Sequence, residues 1–265
     1  MTSARPIAAV TGASSGIGAV FARKLAARGY DLVLIARRKE RLDELAAELG
    51  REHGCSAESL VADLSMEPDT ERVAAHLRST EGLAILVNNA GFGVTGRFHT
   101  TPVEDQEQMH RVHVMATVRL THAVLKQMVD RNAGSIINVA SIAAFACSEG
   151  NVSYCATKSW MATFSEGLFL EMKSVAPGVR IQALCPGFTY SEFHDVMGVD
   201  RKKIASSLWM SAGFVVDASL RGLERNSLYV VPGWRYKLLV AVLTKLPSGM
   251  RTWAESRNPQ SRDRV

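Results

Sequence analysis

The chain is short of cysteine, and none of it stands at metal-binding or redox spacing. Cys55, Cys147, Cys155 and Cys185 are scattered, and no C-x-x-C pair occurs. That argues against a metal site and a disulfide framework and fits a reducing, cytoplasmic setting. Long apolar runs are lacking too. Leu238–Leu243 is six apolar residues in a row, far fewer than the ~20 needed to span a bilayer. Met1–Ala9 carries one arginine and no apolar core, so no signal peptide is expected. Blocks of five or six like charges are absent outside the tail, and the net charge of +5 comes from 31 basic and 26 acidic residues. So mild an excess gives no basic stripe for nucleic acid. Linkers, repeats and low-complexity segments are missing as well. What is present is 47% hydrophobic and 22% charged residues, enough apolar mass for a large core. A single domain over residues 1–255 is expected. Ser256–Val265, polar with three arginines and one proline, reads as a disordered tail.

Apolar runs alternate with amphipathic stretches. Strands are expected near Ile7–Val10, Leu32–Ala36, Ser59–Ala62, Ala84–Asn88, Ser135–Ala140, Ile181–Cys185 and Leu228–Val231. Helices are expected near Ile17–Arg28, Lys39–His53, Asp69–Ser79, Val103–Arg131, Tyr154–Val175 and Phe214–Glu224. The pattern predicts an α/β fold, a Rossmann-type doubly wound domain with a seven-stranded parallel sheet flanked by helices. Phe188–Met210 has no clean periodicity.

Thr11-Gly12-Ala13-Ser14-Ser15-Gly16-Ile17-Gly18 joins the first strand to the first helix. Glycines let backbone come close, and a helix N-terminus with free N–H groups attracts anions, so the turn suits a pyrophosphate. The spacing is G-x-x-x-G-x-G, and read alone it is equally a tight βα turn. Tyr154 and Lys158 are four apart and share a helix face, with Ser141 thirteen residues before the tyrosine. An ammonium there is expected to lower the tyrosine pKa. A phenol so tuned exchanges a proton with an alcohol or ketone, and Ser141 can hold the same oxygen. Alone, Tyr-x-x-x-Lys also arises by chance on solvated helices.

Together these motifs resemble the short-chain dehydrogenase/reductase family, over roughly Ile7 to Gly233. Asp63-Leu64, Asn88-Asn89-Ala90-Gly91 and Pro186-Gly187 stand in the family's order. The resemblance implies that Tyr154 is the acid/base, that Lys158 lowers its pKa and holds the nicotinamide ribose, and that Ser141 positions the carbonyl. It also implies a dinucleotide held by Gly12, Ser14, Ser15, Gly16, Ile17, Gly18, Asn89, Ala90, Gly91, Pro186, Gly187, Phe188 and Thr189. Asp63 would face the adenine amino group and Leu64 its ring, although Asp63 also reads as a plain turn carboxylate. Ser191 offers a further hydroxyl beside Thr189. The two long helices imply a homodimer or homotetramer, and residues 188–212 a substrate lid.

The second strand is followed by Arg37, Arg38 and Lys39. Guanidinium there pairs with a 2′-phosphate, so NADP(H) is favoured over NAD(H). Ser15 stands where many NADP-preferring relatives carry a second base. One departure concerns a helix asparagine of the family's catalytic set: Arg111-Val112-His113-Val114 puts His113 at its place. A cationic His113 would repel Lys158, and its replacement by asparagine would then raise turnover below about pH 7; alternatively the ring packs in a subunit contact. The apolar residues Phe92, Val94, Phe145, Tyr190, Phe193, Met197 and Trp209 suit either a substrate pocket or simple burial of the lid. The expected activity is NADP-dependent interconversion of a lipophilic secondary alcohol and ketone, steroid-like or acyl, in the manner of steroid dehydrogenases and ketoacyl reductases. The rivals are a cofactor-binding regulator with little turnover because of His113, and a membrane-associated interaction protein. Trp234–Leu246 is expected to rest in a membrane interface or on a partner subunit.

Overall fold

The computed structural model describes residues 5–193, 204–247 and 249–252. Seven parallel strands form the centre: β1 (Ile7–Thr11), β2 (Asp31–Ala36), β3 (Ala57–Val61), β4 (Leu83–Asn88), β5 (Gly134–Val139), β6 (Val179–Leu184) and, at the edge, β9 (Tyr229–Val230). Their spatial order is β3-β2-β1-β4-β5-β6-β9. β1 pairs with β2 from Ile7↔Asp31 to Thr11↔Ile35, and β4 with β5 from Ile85↔Ser135 to Asn88↔Asn138. Most of these strands are buried along most of their length, because helices cover both faces of a parallel sheet.

One layer holds α1 (Gly16–Ala26), α2 (Lys39–His53) and α7 (Ala212–Glu224). Phe21, Leu25, Leu42, Leu49, Val216 and Leu220 bury there against Val10, Leu34 and Leu184. The other layer holds α3 (Glu67–Ser79), α5 (Thr117–Asp130) and α6 (Val152–Val175). Val73, Leu77, Leu120, Val124, Met128 and Met172 bury there against Leu86, Ile136 and Ile181. Burying some of these large aliphatic side chains contributes roughly 1.5–3 kcal/mol each. α2 ends at Gly54, whose φ of 59° is the left-handed cap that glycine supplies.

The long helix expected over Val103–Arg131 forms as α4 (Val103–His110), a π-helical turn (Arg111–Ala116) and α5, without interruption. A π-turn of this kind widens a helix locally and often stands at a site. Among the described residues, several elements go beyond the sequence expectation. A 3₁₀ turn covers Ile142–Phe145, a two-residue ribbon pairs β7 (Thr189–Tyr190) with β8 (Met210–Ser211), and α8 spans Trp234–Lys245. The run Leu238–Leu243 had no 3.6-residue period to mark a helix. Its α8 leaves Trp234, Leu238, Leu239 and Val242 exposed and buries Tyr236. Among the described residues, no helix is long and apolar enough to cross a membrane.

The strand order reverses between β1 and β4. Chains leaving the carboxyl ends of these two strands diverge, and the crevice so opened is where ligands of such folds bind.

Candidate active site

That crevice is a cavity of about 630 Å³. The loops after β1, β2, β3, β4, β5 and β6 all reach it. At its floor, Thr11 Oγ1 donates to the Val87 carbonyl at 3.2 Å and accepts from the Asn89 and Ala90 amides at 2.9 Å each. Asn89 Nδ2 donates to the Thr11 carbonyl at 2.8 Å. The β1 turn is thereby tied to the end of β4. Two glycines are required by space. A Cβ on Gly18 would stand 2.3 Å from the Gly12 carbonyl oxygen, and one on Gly12, at φ 66°, would stand 2.8 Å from Asn89 Nδ2. Ser15 precedes α1 without capping it, and the first turn holds no acidic residue. The first amides of α1 are thus left without an intrahelical partner, at the positive end of the helix dipole. This turn fits a pyrophosphate.

Gly12, Ser14, Ser15, Gly16, Ile17, Arg37, Arg38, Asp63, Leu64, Asn89, Ala90, Gly91, Pro186, Gly187, Phe188 and Thr189 all line the cavity, and Gly18 lies just beneath. The two arginines differ. Arg38 donates to Ser14 Oγ at 3.0 Å and to Ser15 Oγ at 2.8 Å. Arg37 is 73% exposed and stands 3.8 Å from Asp63. Asp63 accepts from the Ser65 amide at 2.9 Å and the Ser65 hydroxyl at 2.7 Å, so one of its oxygens does serve as a turn carboxylate.

Ser141, Tyr154 and Lys158 meet on the same wall. Ser141 ends the loop after β5 and caps the 3₁₀ turn, its Oγ accepting from the Ala143 amide at 3.1 Å. Tyr154 and Lys158 lie one turn apart on α6. Lys158 is buried, and its Nζ donates to the Val139 carbonyl at 2.9 Å and lies 5.8 Å from the Tyr154 ring centre. The expected depression of the tyrosine pKa is not what this geometry gives. Burial pushes the Tyr154 hydroxyl up to about 12, with its hydrogen bond to Ser141 working the other way. Burial also pushes the Lys158 ammonium down to about 7. Lysine so desolvated gives up much of the charge that would have stabilised a phenolate.

His113 lies on the π-turn, fully buried. Thr157 Oγ1 donates to the Tyr154 carbonyl at 2.9 Å and meets His113 Nδ1 at 2.9 Å. With its one proton committed, the threonine accepts from the ring, so Nδ1 carries the hydrogen and Nε2 a lone pair. Nε2 has no partner among the described residues and packs under Gly91, where a Cβ would stand 2.5 Å away. Burial, then the Lys158 charge, hold the imidazole well below its ordinary 6.5. The cationic His113 expected to repel Lys158 is therefore corrected to a neutral ring. It meets Tyr154 edge-on at 6.0 Å between centres.

Among the apolar candidates, Phe92 and Phe193 line the cavity, and Phe193 leans on Tyr154 at 5.8 Å between centres. Val94, Phe145, Tyr190 and Trp209 do not line it. Phe145 packs edge-on against Tyr229, and Tyr190 stacks on Trp209 at 5.0 Å. Met197 lies outside the described residues. Leu239 and Leu243 of α8, and Glu192, also line the cavity and were not singled out by sequence. The apolar run Leu238–Leu243 carried a signal for the first pair; nothing local marked Glu192.

A doubly wound sheet with a glycine turn at this crevice is a dinucleotide-binding architecture. The family model described as short chain dehydrogenase matches residues 6–201, and the chain belongs to that family of oxidoreductases acting on CH–OH and C=O groups. It is 32% identical over 241 residues to a very-long-chain 3-oxoacyl-CoA reductase of Anas platyrhynchos, covering 88% of this chain and 75% of the relative. A short-chain dehydrogenase from Sphingobium yanoikuyae, solved in complex with NADPH, superposes with a TM-score of 0.83 at 36% identity over 97% of both chains. A bulky-bulky ketone specific alcohol dehydrogenase from Comamonas testosteroni gives 0.78 at 32% identity, over 97% of this chain and 96% of that one.

Proposed function

We propose that this protein is an NADP(H)-dependent reductase of bulky, lipophilic ketones. The observation that carries the reading is the meeting of Ser141, Tyr154 and Lys158 on an apolar wall of the same cavity that holds the bare α1 terminus and Arg38. The relatives named for NADPH, for a bulky ketone and for an oxoacyl substrate support it.

The glycine turn would hold the pyrophosphate, and Arg38 the 2′-phosphate, with Arg37 beside it at the rim. A nicotinamide held in this crevice would supply the hydride that the carbonyl carbon takes up. The Tyr154 hydroxyl is hydrogen-bonded to the Ser141 side chain, and the pair would orient the carbonyl oxygen. With its pKa at about 12, Tyr154 is protonated at neutral pH and passes its proton to the developing alkoxide. Phe92, Phe193, Leu239 and Leu243 give the substrate an apolar wall, with residues 188–193 as part of a lid. A panel of steroid, acyl and aryl ketones, followed at the NADPH absorbance, tests the reading. Turnover confined to bulky ketones is expected; a small polar ketone turned over best would overturn it.

A further inference from the structure

Glu192 stands between two guanidinium groups. One carboxylate oxygen accepts from Arg38 Nη1 at 2.8 Å, the other from Arg41 Nη1 at 2.5 Å. Neither arginine has another acidic partner within 4 Å among the described residues. The three residues are joined across 151 and more positions of sequence. The adjoining Ser191 lies over the glycine turn, its Cβ 3.1 Å from where a Cβ on Gly16 would be. A chain segment arriving from β6 is therefore pinned on the dinucleotide crevice by one carboxylate, at the guanidinium pair on the mouth of the β2–α2 loop.

Two guanidiniums converging on one anion, one of them steadied by the Ser14 and Ser15 hydroxyls that accept from it, make a phosphate-like site, and here a glutamate occupies it. We infer that Glu192 is an internal stand-in for the 2′-phosphate, setting the selectivity between NADPH and NADH and holding residues 188–193 on the glycine turn until a phosphate displaces it. This rests on the reading that the adenosine ribose lies against Arg38. A dianionic phosphate outbids a single carboxylate for the same donors. A dinucleotide with a bare 2′-hydroxyl leaves the Glu192 pairs intact, and so neither gains nor loses from them. The pairs are half exposed, with Glu192 at 44%, so their strength is modest and screened. The effect expected is several-fold rather than orders of magnitude.

The test is a titration of wild type, Glu192→Gln and Arg38→Gln with NADPH and with NADH, plus hydrogen exchange at residues 188–193 with 2′,5′-ADP and with AMP. Glu192→Gln should bind NADPH about 3- to 10-fold tighter, a range set by exposed ion pairs, and leave NADH affinity unchanged. In the wild type, 2′,5′-ADP should speed exchange at residues 188–193 and AMP should not. Unchanged or weaker NADPH binding by Glu192→Gln, with Arg38→Gln weakened, would overturn the stand-in and leave the phosphate site standing. An Arg38→Gln protein that binds NADPH as the wild type does would overturn both.

Discussion

Tyr154 differs from a solution phenol in what surrounds it, and the direction of that difference matters. Burial raises its pKa to about 12 while Lys158 falls to about 7. A proton donor with a high pKa holds its proton until negative charge develops beside it. A desolvated lysine, hydrogen-bonded to the Val139 carbonyl, is an orienting group more than a fixed cation. Tyr154→Phe keeps the ring, its edge contact with His113 and its packing on Phe193, and removes only the hydroxyl. Ketone reduction should fall about 10²-fold or more, with NADPH affinity within about twofold of wild type. Steady-state rates with a fluorescence titration of NADPH check this. A variant that kept half the wild-type rate would remove Tyr154 from the chemistry.

At the scale of elements, legibility follows the range of the interactions. Buried parallel strands announce themselves as apolar runs, and α6 carries Tyr154 and Lys158 at a spacing that sequence alone places on one face. The glycine turn is legible for the same reason, since its steric demands are local. What stayed hidden depends on partners far along the chain. Tyr236 of α8 accepts from the Phe188 amide at 3.2 Å and donates to the Leu208 carbonyl at 2.7 Å, and its ring fills the space over Gly187, where a Cβ would stand 2.2 Å away. No period or motif in Trp234–Leu246 encodes those bonds. The same holds for Glu192, whose arginines lie on another element, and for the π-turn, which swaps one hydrogen-bond spacing for another without changing composition. Tyr236 joins both ends of the segment that flanks the cavity. Tyr236→Phe leaves the Phe188 amide and the Leu208 carbonyl without that partner, at about 1–3 kcal/mol. Unfolding in urea should show that loss. KM for a ketone should rise while NADPH affinity changes little, because the lost bonds leave the Arg38 contacts to Ser14 and Ser15 and the Thr11–Asn89 tie of the glycine turn in place. A variant equal to wild type in stability and in KM would show that α8 does not pin the segment.

The stability of the whole molecule carries the mark of the site, because Lys158 and His113 are buried and Tyr154 is partly buried at the carboxyl ends of the strands. The signs differ. For Lys158 the unfolded chain binds the extra proton between about 7 and 10.5, so stability rises with pH through that window. For Tyr154 the native state holds its proton longer, so stability falls as pH climbs from 10 toward 12. For His113 the native pKa lies well below the unfolded 6.5. Below about pH 6.5 the unfolded chain takes up a proton that the buried ring refuses. The fold then loses up to about 1.4 kcal/mol for each pH unit, until the native ring itself titrates. His113→Asn removes this liability together with the ring's packing and the hydrogen bond to Thr157. At pH 8 the variant should be less stable than wild type by about 1–3 kcal/mol. As pH falls from 6.5 to 5 the gap should narrow, because only the wild type pays the protonation cost. The pH–rate profiles of the two proteins should keep the same shape, since a ring that is neutral throughout leaves Lys158 undisturbed. Urea unfolding of the ligand-free proteins at intervals from pH 5 to 8 measures the gap directly. Parallel stability curves over that range would mean that His113 takes its proton in the folded protein as readily as in the unfolded chain, and the neutral ring under Gly91 would have to be abandoned.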